Sequence, residues 1–95
     1  MALLDLLGRR WTLRIIWELR DESANFGELQ TRCDSMSTST LTLRLAELRT
    51  AGIIEQDQDG AYGLSAEGKA LLEALIPLND WAQGWASRIN SKAGD

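Results

Sequence analysis

Thr38, Ser39, Thr42, Leu43 and Arg44 fall within one short stretch and carry hydroxyl, apolar and guanidinium groups. These are the groups that contact phosphates and base edges in a DNA groove. Hydroxyls and guanidinium hold phosphate oxygens, and an aliphatic side chain packs on a thymine methyl. Arg32 lies one turn upstream as a further cation of the phosphate-holding type, and Arg9 and Arg10 form another such pair nearer the N-terminus. The competing reading is a solvated polar face with scattered charge, in which Arg44 pairs with Glu47.

Other chemistries are poorly supplied. The chain has no histidine and one cysteine, Cys33, so neither an ordinary zinc site nor a histidine-based triad can be assembled. No pair of carboxylates sits in an apolar setting. An enzyme, a metal site and a bound cofactor are therefore not expected. A single cysteine also excludes an internal disulfide, and its spacing from Phe26 and Leu29 places Cys33 on an inward helix face as a core residue. Ten Lys and Arg against fourteen Asp and Glu leave a net charge of −4, opposite to the usual basic footprint of a DNA-binding domain, so any such footprint must be local.

The elements that position these groups are legible between Asn25 and Gly52. Asn25 with Glu28 predicts a capped first helix, and Phe26, Leu29 and Cys33 form its apolar face. Asp34-Ser35 breaks the pattern. Ser37 or Thr38 can cap a second helix on which Leu41, Leu45 and Leu48 face inward, and Gly52 is a left-handed stop. At about 100° per residue, Ser39, Leu43, Ala46 and Thr50 then point outward, with Thr42 and Glu47 on the flanks. Two helices joined by a tight turn are the pattern of a helix-turn-helix. Ile53–Gln56 and Ala61–Leu64, joined across Asp59-Gly60, predict a β-hairpin directly after it. The combination is a winged helix, mostly α with a small hairpin wing, and Ala24-Asn25 is expected to add a minimal third strand.

The flanking segments read as helices. Ala2–Leu7 is short and apolar, and Trp11–Arg20 carries the stripe Ile15, Ile16 and Leu19. Ser65 can cap a long last helix whose residues Leu71, Leu75, Leu78, Ala82, Trp85 and Ile89 recur at spacings of 4, 3, 4, 3 and 4, a heptad seam. Pro77 is expected to kink that helix or to start a new segment, and Ser91–Asp95 to form a frayed tail. A 95-residue chain makes one domain, 1–95, and a core this small is marginal alone. The surplus seam therefore points to a homodimer formed by about 1–10 and 66–90. Trp11, Trp17, Trp81 and Trp85 come from the regions expected to meet there. Tight packing is the default use of such rings, and a box for a small planar aromatic effector is the sharper reading. No apolar run approaches the roughly 20 residues of a bilayer span, and Ala2–Leu7 is too short and too interrupted by Asp5 for a signal peptide, so the cytoplasm is the expected compartment.

These residues resemble one family. Leu7-Gly8-Arg9-Arg10-Trp11-Thr12-Leu13 is similar to the G-K-W-T opening of HxlR-type, MarR-like winged-helix regulators. Phe26-Gly27-Glu28-Leu29 resembles the family's F-x-E-L. Leu41 to Leu48 resembles its L-x-x-R-L-x-E-L recognition helix, and Ala51-Gly52-Ile53-Ile54 its helix exit. Tyr62-Gly63-Leu64-Ser65-x-x-Gly68 resembles the entry to its last helix. The resemblance implies a bacterial, homodimeric, sequence-specific DNA-binding transcriptional regulator. Three features depart from it: no cysteine precedes the tryptophan helix, the wing is acidic at Glu55, Asp57 and Asp59, and Leu43 stands where the family usually has a polar residue. From a different class, a winged helix kept for protein interaction or dimerisation, without DNA binding, fits the acidic charge.

Overall fold

Trp11 marks the first place where the chain turns sharply: its φ is 78°, left-handed and uncommon for a bulky residue. The structure, a computed structural model, describes residues 2–93, with side chains described over 5–90. Helix α1, Ala2–Leu7, precedes this turn and α2, Thr12–Glu18, follows it. Trp11 caps α2 through its carbonyl, which accepts from Ile15 N–H at 2.9 Å. The helix expected over Trp11–Arg20 is thus shorter at both ends. Its first residue is spent on reversing the chain, and at its end Leu19 N–H is shared between the Ile15 and Ile16 carbonyls.

Next come α3, Phe26–Arg32, and α4, Thr38–Thr50. The capping box on α3 is formed as expected. Asn25 Oδ1 accepts from Glu28 N–H at 2.8 Å, and Glu28 Oε1 accepts from Asn25 N–H at 3.1 Å. Two consecutive left-handed residues, Asp34 (φ 59°) and Ser35 (φ 57°), make the interhelical turn. Ser37 Oγ caps α4 by accepting from Thr40 N–H. At the far end Gly52, with φ 76°, lets Ile53 N–H return to the Leu48 carbonyl at 3.0 Å.

Strands β1, Ile54–Gln56, and β2, Tyr62–Leu64, pair antiparallel with Ile54 opposite Leu64. Asp57 shapes the connecting loop, its Oδ1 accepting from the N–H groups of Asp59 and Ala61, and Gly60 takes φ 87°. Ala24 bridges to Tyr62, which supplies the expected minimal third strand.

Helix α5, Ala66–Ala93, runs without a break through Pro77, so no new segment starts there. Proline removes one helical bond, that to the Glu73 carbonyl, and residue 73 is exposed, where water can replace it. The tail expected from Ser91 is helical to Ala93, and Gly94 and Asp95 lie outside the described residues. Ser65 joins the start of α5 to the end of α4: its Oγ donates to the Gly52 and Ile53 carbonyls and accepts from Gly68 N–H. Gly68 packs against the Ile53 carbonyl so closely that a Cβ there would lie 2.1 Å from that oxygen.

The core lies among α2, α3, α4 and the wing root. Ile15, Ile16, Leu29, Cys33, Leu41 and Leu48 are fully or almost fully shielded from solvent, and Leu6, Leu7, Leu71 and Leu72 pack on its edges. The apolar seam of α5 therefore divides. Leu71 serves the core, whereas Leu78, Trp85 and Ile89 stay exposed.

Candidate nucleic-acid interface

Helix α4 presents a face and is held from behind. Leu41, Leu45 and Leu48 anchor it, and Ser39, Thr42, Leu43, Ala46 and Thr50 are exposed, Leu43 at 53%. Thr38 is exposed as well, but its hydroxyl accepts from Gln30 Nε2 at 3.2 Å, and the same amide nitrogen donates to the Met36 carbonyl. That side chain clips α3 to the beginning of α4 and sets the angle at which α4 projects. The surface brings together Thr38, Ser39, Thr42 and Leu43 as expected.

The two arginines expected beside them are placed differently. The Arg44 side chain is only 14% exposed. Its Nη1 pairs with Glu47, and its Nε donates to the Arg10 carbonyl at 2.9 Å. Glu47 also receives Arg9 at 3.0 Å. Arg44 therefore ties α4 to the α1–α2 turn. The acceptor that decides its role is 34 residues away in sequence, beyond what local spacing reveals. Arg32 points the other way: its Nη1 donates to the Glu18 and Glu22 carbonyls, holding the end of α3 against the end of α2. Sequence reasoning passed over Arg49, which lies exposed on the last turn of α4 and donates to Gln56 Oε1 of the wing at 3.2 Å. The signal was its spacing of seven from Thr42, which puts both on one side of the helix.

A second feature lies along α2. An apolar groove of about 400 Å³ runs between α2 and α5, lined by Leu13, Ile16 and Trp17 and by Leu72, Leu75, Leu78 and Ala82, with Arg14 and Asn79 as its polar members. Of the four tryptophans, Trp17 lines this groove beneath the Arg20 guanidinium, 4.1 Å from the ring centroid. Trp81 and Trp85 stack on each other at 6.2 Å farther along α5, and Trp11 is half-buried against the core. Within one chain the rings thus occupy three places.

Arg14 links the groove to the helix-turn-helix. Its Nε donates to Glu18 at 2.7 Å, its Nη1 to Asp34 at 3.1 Å and its Nη2 to the Arg32 carbonyl at 2.8 Å. The Glu18 bond foremost, with Asp34 behind it, keeps this guanidinium charged to a pH above its ordinary range. Cys33, beneath the same turn, is inaccessible to solvent, and burial pushes its thiol up, away from the reactive thiolate.

Comparison with known proteins agrees with this geometry. A family model described as HxlR-like helix-turn-helix matches residues 6–90. An uncharacterised HTH-type transcriptional regulator of Bacillus subtilis (strain 168), YvaP, is 31% identical over 87 residues, covering 85% of this chain and 81% of the relative. Among solved structures, the quinone-bound YodB from B. subtilis superposes with a TM-score of 0.80 at 31% identity, covering 87% of this chain and 92% of that one. The redox regulator HypR in its reduced form gives 0.81 at 25% identity, covering 95% of each chain.

Proposed function

This chain belongs to the HxlR-like helix-turn-helix family, and from that premise we propose that it is a sequence-specific DNA-binding transcriptional regulator acting as a homodimer in the cytoplasm. Its relatives are helix-turn-helix transcriptional regulators, not enzymes. One observation carries the reading. The outward face of α4 exposes Ser39, Thr42 and Leu43, while the rest of the helix is fixed by three buried leucines, a serine cap and the Arg44–Glu47–Arg9 cluster. A rigid helix with a short, exposed polar and methyl-sized face fits a major groove.

Dimerisation is supported by α5, which leaves Ile76, Leu78, Trp81, Trp85 and Ile89 exposed along one helix. Apolar surface of that extent marks an association face. The Trp81–Trp85 stack and the Trp17-lined groove supply aromatic surface for a small planar effector, and the related YodB has been seen with a quinone bound. A thiol switch at Cys33 is not part of the reading, because its sulfur is buried and its burial disfavours the thiolate.

The test is a gel-shift assay with DNA from upstream of the protein's own gene or the adjacent gene. Retardation that survives excess random DNA is the expected result. Equal retardation of any DNA, or none, overturns the reading. The acidic wing, with Glu55, Asp57 and Asp59 exposed around its loop, favours the second reading of an interaction module, and that reading predicts no retardation at all.

A further inference from the structure

The cations of the described residues sort by whether a carboxylate already holds them. Arg9 and Arg44 share Glu47, Arg14 has Glu18 and Asp34, Arg20 has Asp21, and Arg32 has Glu22. Among the described residues near α4, Arg10 and Arg49 have no carboxylate within ion-pair distance. Both are exposed.

Their placement is complementary. The Arg10 carbonyl accepts from Arg44 Nε, which seats Arg10 against the flank of α4 that carries Arg44 and Glu47. Its guanidinium lies 5.6 Å from the centroid of the Trp11 ring. The left-handed Trp11 is the residue that fixes this turn, and backbone strain of that kind persists only where the surroundings over-determine it. Arg49 stands on the other flank, about 220° from Arg44 measured across the outward face at 100° per residue. It is oriented by Gln56, whose own Nε2 donates to the Gly60 carbonyl in the wing loop. Between the two flanks lies the outward face of Ser39, Leu43, Ala46 and Thr50.

We infer that Arg10 and Arg49 form a two-sided phosphate clamp, one guanidinium for each backbone bordering the major groove into which α4 fits. The inference rests on the DNA-binding reading above. A major groove is about 12 Å wide, close to the diameter of a helix with its side chains, so phosphates border the helix on both flanks. Guanidinium groups free of carboxylates are the ones that can release counterions on contact. The clamp also explains how a chain of net charge −4 meets a polyanion. Arg9, Arg14, Arg20, Arg32 and Arg44 already pair with carboxylates, and Asp57 turns its carboxylate into its own loop.

The experiment measures affinity for the specific fragment and for random DNA over a series of salt concentrations. The proteins are the full chain, Arg10→Ala, Arg49→Ala, the double variant, Arg10→Lys, Arg49→Lys and the control Arg20→Ala. Each alanine variant is expected to lower the slope of log affinity against log salt by about 0.9 per subunit, and the double by about twice that. Binding to specific and random DNA should weaken by the same factor, the lysine variants should keep the slope, and Arg20→Ala should match the parent. An unchanged slope in either alanine variant, a slope lost equally in Arg20→Ala, or an altered sequence preference overturns the clamp. A parent chain that retards no DNA overturns the clamp together with the DNA-binding reading, whereas a salt-sensitive parent with indifferent variants overturns the clamp alone. Thermal melts of each variant identify any loss of folding, and the lysine variants then carry the test.

Discussion

The helix-turn-helix with its wing and the distal half of α5 use the same kinds of residue to opposite ends. In the first region Leu41, Leu45 and Leu48 are shielded, every helix start is capped, and the turns take left-handed residues where the path demands them. In the second, Leu78, Trp81, Trp85 and Ile89 are about half exposed on a helix that continues past the body of the domain. The first region satisfies itself. The second leaves its apolar surface uncovered within the chain, and in the proposed homodimer its stability would be tied to the partner by mass action.

The largest effect should come from the self-contained region. Leu41→Ala removes a fully buried side chain and is expected to cost about 2–5 kcal/mol, lowering the melting temperature by more than about 10 °C. Ile89→Ala, at the exposed end of α5, should cost far less when measured at concentrations too low for association. Equal losses in the two melts would erase the contrast. Next in size is the pair Leu78→Asp with Trp85→Asp. Sedimentation of the parent should give twice the 10.5 kDa chain mass, and the variant should give that mass once while keeping its helical circular dichroism. A variant that unfolds would show that the distal half is part of the core after all. A parent that sediments as a single chain would remove the homodimer account.

Smaller is Asn25→Ala, which deletes one half of the α3 capping box and should cost about 1 kcal/mol by denaturant titration. No change there would mean that tertiary packing alone holds α3. The smallest effect is that of Cys33. Its folded thiol titrates above its unfolded value, so the native state keeps its proton to higher pH. The corresponding stability is present below the ordinary thiol range, about 8.5, and drains away as pH rises through and beyond it. Denaturant titrations from neutral to alkaline pH should show this decline, and Cys33→Ala should flatten it. A thiol reagent should label native Cys33 only as fast as the turn opens, and prompt labelling at neutral pH would contradict its burial.

The same contrast separates what was legible in the sequence from what was not. Asn25 with Glu28, Ser37, Gly52 and Ser65 each act within a few residues of themselves or at the end of a helix they delimit, so composition and spacing revealed them. Ala24 pairs with Tyr62 as the expected third strand because the hairpin offers it an open edge. The Arg44–Glu47 pair was the competing reading and is present, but the tie of Arg44 Nε to the Arg10 carbonyl and the placement of Arg32 escaped, because those acceptors are backbone carbonyls of distant segments, which carry no sequence signature. Trp11 was taken into its helix because residue type favours that. The left-handed turn it adopts is imposed by the need to bring α1 back beside α2. The four tryptophans share a composition signal, but their grouping is decided by helix orientation, which places Trp17 in the groove and the Trp81–Trp85 stack beyond it.

Gly68 sets a length scale for the whole assembly. Because its missing side chain lets the first turn of α5 rest directly on the Ile53 carbonyl, the helix leaves the wing at an angle fixed by main chain against main chain. From that root the 28 residues of α5 extend about 42 Å at 1.5 Å per residue, so a tilt of about 5° at the glycine moves the far end by about 4 Å. Two copies joined along their distal halves would carry their reading helices as jaws on such levers. The distance between the two operator half-sites would then be gauged at Gly68, whose close neighbours are Ile53 and Leu64 of its own chain, and a residue with a side chain there would change the operator spacing that fits before it changed the bases that are read.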